Sequence, residues 1–403
     1  MTDAILTLNA GSSSIKFAVF EAEDGRLAEV LARGRIERVG SRPRLVMRDA
    51  ANAVLNDRTW PQAERPGFDE LIDAALTACE ALLGGRRAAA IGHRVVHGGP
   101  GRRDPALVTP ELLRELEALR PLAPLHEPHN LDPIHAISAS RPGLPQVACF
   151  DTAFHHTMRA TATRLAIPRV YEAKGVRRYG FHGLSYEYLA GALRTIDPAL
   201  AAGRVIAAHL GSGASLCALS AGASVDTTMG FTALDGLVMG TRCGTLDPGV
   251  VLYLLQQEGL SAQEVQELLY KSSGLLGLSG GLSGDMRDLL ESSDPRAREA
   301  VDAFVYRFVR EAGALVSCLG GLDGIVFTAG VGENAPAIRR MACAGLAWLG
   351  VEIDYAANKE GRDLISAPGS KVTVRIIPTD EERMIARHTL GLVAAPADEG
   401  HPG

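Results

Sequence analysis

Residues 5–19 read ILTLNAGSSSIKFAV and residues 205–219 read VIAAHLGSGASLCAL. Each is an apolar run, a short turn of small and polar residues (Asn9-Ala10-Gly11-Ser12; His209-Leu210-Gly211-Ser212), and a second apolar run. Apolar runs broken by Gly and Ser predict pairs of strands joined by a tight turn. Asn9 and His209 stand 200 positions apart in a chain of 403. That spacing predicts a duplicated domain whose halves each open with a hairpin. A chance likeness between two short segments is the competing reading. Such turns expose backbone N–H groups, and Gly lets an anion approach closely, so each turn suits a phosphate. Lys16 adds a positive charge to the first turn, and Ser12 and Ser14 add hydroxyls. Neither turn is a P-loop: GxxxxGK[ST] is absent, and a strand follows instead of a helix.

Outward from these hairpins, strand and helix patterns alternate, which predicts an α/β protein. Phe68–Leu83 has helical apolar spacing, and Ala88–Val96 reads as a buried strand entering the turn His97–Gly101. Pro110–Leu119 reads as a helix capped by Thr109, and Pro121–Pro133 as a loop leading into a helix near Ile134–Ser138. A long helix is expected from Asp294-Pro295 to Gly320-Gly321, followed by a strand at Gly324–Thr328 and a turn at Ala329–Asn334. Val372–Pro378 reads as a strand, and Thr379 with Glu382 as the capping box of a last helix. The tail Ala394–Gly403 is expected to fray.

Composition narrows the function classes. Apolar residues make up 46% and charged residues 22%, an ordinary globular balance. The net charge of −6 argues against a nucleic-acid or anionic-membrane binder. No apolar run approaches the ~18–20 residues that span a bilayer. The start MTDAILTLNAGSSS carries no basic segment or cleavage pattern, so no secretory signal is expected. The six cysteines show no CxxC spacing, which favours a reducing cytoplasm over a disulfide framework.

A third Gly-rich turn, FTAGVGENAPAIRRM (327–341), lies between a strand and a helix and fits the loose GxGxxA fingerprint. Glu352 and Asp354 follow at the spacing of a dinucleotide site. The turn therefore serves a nicotinamide or a nucleotide. Its place near the C-terminus, with two other phosphate turns upstream, favours a mononucleotide. Histidines recur beside turns (His93, His97, His126, His129, His155, His156, His182, His209), where a satisfied structural role is the default for each. His126-Glu127-Pro128-His129 is one residue short of HExxH, which excludes a zinc protease reading. Arg94 and Arg242 each stand beside Gly-rich turns, placed for a salt bridge or for bidentate contact with phosphoryl or carboxylate oxygens. Asp151 ends the strand-like QVACFD, a placement shared by catalytic carboxylates and turn caps.

Together, NAGSSSIK (9–16), GHRVVHGG (92–99), FDTAFH (150–155), YGFHG (179–183), HLGSGAS (209–215), GTRCGTLDPG (240–249), SGDMRDL (283–289) and FTAGVGEN (327–334) resemble the acetate kinases, in order and over nearly the full chain. The resemblance implies the acetate and sugar kinase, Hsp70 and actin superfamily: a duplicated actin-like α/β fold with a nucleotide cleft between its domains. The expected domains are 1–150 with 384–403, and 151–383. The implied activity is reversible transfer of the ATP γ-phosphoryl group to acetate, giving acetyl phosphate and ADP, with Mg²⁺ (Mn²⁺ as a substitute) and a homodimeric enzyme. Residue by residue, the resemblance makes Asn9 and Glu381 magnesium-site residues, and Ser12 and Lys16 phosphate contacts. His209, Leu210, Gly211, Ser212 and Gly213 fall in nucleotide-binding segments. So do Asp285, Met286 and Arg287, and Gly330, Val331, Gly332, Glu333 and Asn334. Arg94 is implied as ligand of the carboxylate and phosphoryl groups, Asp151 as the catalytic carboxylate, and His182 and Arg242 as stabilisers of the transition state.

Elementary chemistry fits these roles. The transferring phosphoryl group spreads charge over three oxygens, so positioning and charge stabilisation dominate. A carboxylate acceptor is already ionised at neutral pH, so no general base is needed and Asp151 is expected to position Mg²⁺ or Arg94. Val96, Leu125 and Phe181 are expected to line the methyl side of the acceptor site, with Ala233. The chain departs from the family pattern at Ser212 (commonly Asn), Ala233 (Pro), and Cys243 and Thr245 within the TRSGDLDP segment. Ala233 leaves room for propionate, so a kinase for propionate or another short-chain carboxylate is the alternative. An NAD-dependent dehydrogenase and a nucleotide-switched binding module are more remote, because neither needs Arg94, Asp151, His182 and Arg242.

Overall fold

The computed structural model describes residues 3–11, 14–61, 63–119 and 127–394. The chain forms two compact units: one takes the chain up to Ala153 and again from Asp380, and the other runs Phe154–Thr379. Both junctions fall a few residues from the expected ones. The Asp151 N–H donates to Val95 O (3.0 Å) and Thr152 Oγ1 accepts from the Gly98 N–H (3.1 Å), tying this stretch to the first unit. Asp380 belongs there too, because it receives Arg33 (2.6 Å).

The first unit holds an eight-stranded sheet: β1 (Asp3–Ala10), β2 (Ser14–Glu23), β3 (Arg26–Glu37), β4 (Arg44–Asp49), β5 (Val54–Thr59), β6 (Ala88–Val95), β7 (Ala106–Leu107) and β8 (Gln146–Phe150), in the order β5-β4-β3-β2-β1-β6-β8-β7. The second unit holds five strands: β9 (Arg204–Leu210), β10 (Ala214–Ser220), β11 (Ala223–Thr227), β12 (Gly324–Thr328) and β13 (Thr373–Ile376), in the order β11-β10-β9-β12-β13. The duplication read from the two hairpins is visible in the pairing. In both units the first strand (β1, β9) runs antiparallel to the second (β2, β10) on one side and parallel to a later strand (β6, β12) on the other, which is parallel in turn to one more (β8, β13). This is the α/β class expected, with two sheets on one plan.

β8 and β12 are buried along their whole length, as parallel strands covered on both faces must be. In the first unit the helix Phe68–Leu83 sets Leu71, Ile72, Leu76 and Cys79 against Leu6, Leu8 and Val19. The C-terminal helix Glu381–Val393 sets Ala386 and Leu390 against Ile5, Ala18 and Phe20. In the second unit the helix Gly183–Ile196 packs Leu189 and Leu193 on Val205, Ala207 and Val326. The long helix Pro295–Leu319 stacks Phe308 on Phe327, with ring centroids 5.9 Å apart.

Three local expectations are corrected, and one stretch of sheet carries no clear sequence pattern. The helix after Pro121 begins at Glu127 and runs to Ser140, holding Pro128 in its first turn and Pro133 inside. Residues Ala329–Asn334 form a short helix instead of a turn, entered through Ala329 at φ +63°. The last helix is capped by Asp380, which accepts from the Arg383 N–H (3.0 Å); Thr379 donates its own N–H to Glu333 (3.2 Å), so the Thr379–Glu382 box does not form. The sheet also extends through β3, β4 and β5, where charged residues mask the alternation. Gly34 on β3 is needed there, since a Cβ would lie 2.1 Å from the Phe17 ring.

His93 and His97 are buried, and burial pushes each imidazole down to about 4. His93 Nε2 meets Gln146 Oε1 at 2.8 Å, and His97 Nδ1 accepts from the Gly99 N–H at 2.9 Å. The unfolded chain protonates such histidines near the ordinary value of about 6.5. Between that value and about 4 the unfolded state binds more protons, so stability falls as pH falls through this window. Thermal melting should drop from pH 6.5 to 5, by up to about 1.4 kcal/mol per pH unit for each histidine, and His93→Gln should show a shallower slope.

Candidate active site

In the first unit β1, β6 and β8 are parallel neighbours, and their C-terminal ends carry Asn9, Arg94 and Asp151. Such strand ends are where α/β sheets place their ligands. Arg94 Nε donates to Asp151 Oδ2 at 3.0 Å, Nη2 donates to the same oxygen, and Nη1 reaches Asn9 Oδ1 at 3.4 Å. The Asp151 side chain is 1% exposed and that of Arg94 20%. Burial opposes the Arg94 charge, but Asp151 and Glu381 outweigh it and raise the guanidinium above its ordinary value, so it stays a cation. Lys16 lies opposite Asn9 in the hairpin register. Glu381 opens the C-terminal helix; burial pushes its carboxyl up against the pull of Arg94 and Lys16, with Asp151 and Asp380 adding to the rise.

The donor set fits a hard divalent cation. Asp151 Oδ1 is buried without a hydrogen-bond partner, and the strained Glu381 carboxyl stands close enough to feel Asp151. Among the described residues no three His, Cys, Asp or Glu groups form a cage. Mg²⁺ is a cation that takes one or two protein carboxylates and fills its shell from water and phosphate oxygens. Val96, two residues past Arg94, is buried, and its N–H donates to Asn130 Oδ1 at 2.8 Å. Ser12, Leu125 and His126 lie outside the described residues.

In the second unit His182 caps the Gly183–Ile196 helix in the left-handed region, at φ +58°. Strain of this kind collects at functional positions. Its ring stacks on that of His209, with centroids 4.1 Å apart and planes at 14°. His182 Nδ1 lies 2.8 Å from Ser215 Oγ, and His209 Nδ1 lies 2.9 Å from Ser185 Oγ. His182 Nε2 and Arg242 Nη2 converge on Gly213, where a Cβ would sit 3.3 and 3.5 Å from them. Arg242 Nη1 donates to the carbonyl of the buried Ala233 at 2.8 Å. Phe181 is buried, and its carbonyl accepts from His155 Nε2 at 2.9 Å, which makes His155 a structural histidine.

The same unit contains a cavity of about 600 Å³. Gly211, Ser212, Arg242, Asp285, Met286, Arg287, Gly330, Val331 and Asn334 line it, so three separate Gly-containing segments meet there as expected. Other expected nucleotide residues have other surroundings. His209 stacks on His182, Leu210 is fully buried in β9, Gly213 faces His182 and Arg242, and Gly332 packs on Phe327 and Ala208. Glu333 turns inward, accepting from the Ala329 N–H (2.8 Å) and the Thr379 N–H. Met239, Leu275, Met286, Leu290 and Phe304 supply an apolar wall suited to a planar base, and Arg242 and Arg287 supply charge. Asp354 caps the helix Tyr355–Glu360 through two backbone bonds, so it is not placed as the ribose-binding acid of a dinucleotide site.

A model of the acetokinase family matches residues 4–387. An acetate kinase from Rhodopseudomonas palustris is 52% identical over 392 residues, covering 96% of this chain and 98% of its own length. The chain belongs to the acetokinase family. A second relative, an acetate kinase from Nitrobacter hamburgensis, is 52% identical over 399 residues, 97% of this chain and 96% of its own. Among solved structures, a propionate kinase from Francisella tularensis superposes with a TM-score of 0.88 at 35% identity, covering 96% of this chain and 99% of its own. An acetate kinase from Porphyromonas gingivalis gives 0.85 at 37% identity, covering 97% and 100%.

One acetokinase residue escapes sequence reasoning. Arg339 is 1% exposed; it donates to Asn358 Oδ1 (2.8 Å), Asn358 O (2.7 Å), and the carbonyls of Gly332 and Glu333 (2.8 Å each). All four acceptors are neutral, and burial lowers the guanidinium from its ordinary value. Arg339 holds the end of the GVGEN helix in place. The available signal was an Arg on the apolar face of Ile338, Ala342 and Cys343. Arg339→Met leaves these carbonyls unsatisfied and should cost about 2–4 kcal/mol of stability. It should also raise KM for ATP several-fold with kcat nearly kept, as read by denaturant unfolding and steady-state kinetics.

Proposed function

We propose that this protein transfers the γ-phosphoryl group of ATP reversibly to acetate, giving acetyl phosphate and ADP. The observation that carries this reading, within the acetokinase family, is Arg94: a permanent cation at a strand end, held by a buried carboxylate that keeps one oxygen unpartnered. On this reading Arg94 receives the carboxylate of acetate and an oxygen of the transferring group. Asp151 positions Arg94 through Oδ2 and removes no proton, because acetate enters ionised. His182 and Arg242, converging on Gly213, stabilise the charge on the equatorial oxygens. The 600 Å³ cavity takes the adenine nucleotide, with Gly211, Ser212 and Gly330 near its phosphates. Asn9, Asp151 Oδ1 and Glu381 would hold Mg²⁺, or Mn²⁺ in its place, which neutralises charge on the phosphate oxygens. Lys16 and Ser12 complete the phosphate contacts of the first turn.

The reaction needs no nucleic acid, and among the described residues no helix is long and apolar enough to cross a membrane. We place it in the cytoplasm, where ATP is abundant and the six free cysteines stay reduced. The homodimer implied by the family likeness finds a candidate face in the helix Pro248–Gln256. It exposes Val250, Leu252 and Tyr253 and buries none of its residues.

Hydroxamate trapping of acetyl phosphate from ATP and acetate tests the reading. Arg94→Ala and Arg242→Ala should each lose about 10²–10³ in turnover; Arg242→Ala should melt near wild type, whereas Arg94→Ala should stay folded but melt lower, because it leaves Asp151 buried without its cation. Activity within a few-fold of wild type in both would sink the site assignment. A second reading, a propionate kinase, rests on Ala233, whose carbonyl is fixed by Arg242 and whose methyl leaves room where the family commonly has Pro. An apolar pocket discriminates one methylene by about 1–3 kcal/mol. Acetate and propionate should therefore differ by less than about a hundredfold in kcat/KM, and Ala233→Pro should shift the ratio toward acetate.

A further inference from the structure

We propose that Ser215 and Tyr186 are positioning residues that fix His182 as the neutral tautomer with its proton on Nε2, so that it donates to the transferring phosphoryl group. The proposal rests on the phosphoryl-transfer reading above. Ser215 is fully buried on β10, opposite His209 of β9 in the ladder register. Tyr186 is fully buried one helical turn beyond His182, so the two side chains share a face. Tyr186 Oη lies 2.5 Å from Ser215 Oγ, and Ser215 Oγ lies 2.8 Å from His182 Nδ1.

The chain can be ordered in two directions. In one, His182 Nδ1–H donates to Ser215, Ser215 donates to Tyr186, and the tyrosine proton is left without an acceptor in a fully buried site. An unmet buried donor is disfavoured, so this ordering loses. In the other, Tyr186 donates to Ser215 Oγ, and Ser215 donates to His182 Nδ1. Every proton then has an acceptor, and the imidazole proton is left on Nε2. That nitrogen faces Gly213 beside Arg242 Nη2, so the two donors aim at one place. The opposite tautomer would turn a lone pair toward anionic oxygens. The groups facing His182 are the stacked His209 on β9, Arg242 from its loop and Tyr186 on its own helix; Tyr186 in turn contacts His155 and feels Cys217.

The test is steady-state turnover of ATP and acetate by the whole enzyme across the histidine titration range, with Ser215→Ala, Tyr186→Phe and Ser215→Thr. At about pH 8 Ser215→Ala should lose about 10–100-fold in kcat with KM for ATP within about twofold. The deficit should shrink as pH falls, because an imidazolium carries a proton on Nε2 without help. Tyr186→Phe should show a smaller deficit of the same shape, and Ser215→Thr should restore activity. A deficit equal at every pH, or none, overturns the proposal, as does further loss from Ser215→Ala on a His182→Ala background. Should wild type fail to phosphorylate acetate, the functional reading fails by itself. ¹⁵N spectra of labelled histidines then still decide the tautomer: Nε2–H at His182 in wild type and mixed forms in Ser215→Ala or Tyr186→Phe support the proposal, and an Nδ1–H wild type overturns it.

Discussion

The ion pair between Arg94 and Asp151 is the contact around which the strand ends of the first unit are arranged. Asp151 is nearly sealed from solvent, and a carboxylate so placed needs a cation or a metal to remain charged. Arg94 supplies that cation from the neighbouring parallel strand and reaches Asn9 on the next. A buried pair of this kind adds little net stability over an apolar substitute. What it secures is geometry: a guanidinium held from behind at a sheet edge, and a carboxylate oxygen without a protein partner.

The duplicated sheet explains why residues far apart in the chain collect at two strand edges. The ends of β1, β6 and β8 carry Asn9, Arg94 and Asp151, and the ends of β9, β12 and β13 carry His209, the GVGEN helix and Thr379. Parallel strands place their carboxyl ends at one edge, so a plan used twice yields two edges able to take anions. In the second unit Glu333 ties the edge together by bonding both Ala329 and Thr379, and Arg339 clamps the same short helix from below. The glutamate that looked like a ligand in the fingerprint thus acts as internal scaffolding.

Much of this was legible from the sequence, because turns and strand ends leave strong local marks. The hairpins, the helix Phe68–Leu83, the strand Gly324–Thr328, and the placement of Arg94 and Asp151 at strand ends all follow from Gly, Ser and apolar spacing. Residues whose partners are distant were not legible. The cavity wall of Met239, Leu275 and Phe304 comes from three separate segments, none marked locally. Ser215 looks like any strand serine until β9 and the Gly183–Ile196 helix bring His209, Tyr186 and His182 to it. The cap of the last helix lies one residue beyond the expected Thr379 because Thr379 and Asp380 are both good caps, and only the bond from Thr379 to Glu333 decides between them.

We propose a division of labour: the second unit binds the nucleotide, and Arg94 acts on the group being transferred. Calorimetric titration of ADP, without metal, into wild type and Arg94→Ala tests it most directly. The expected result is the same Kd within about twofold in a variant whose turnover has fallen by about 10²–10³. A loss of ADP affinity that parallels the loss of turnover would contradict it, because Arg94 would then belong to the nucleotide site.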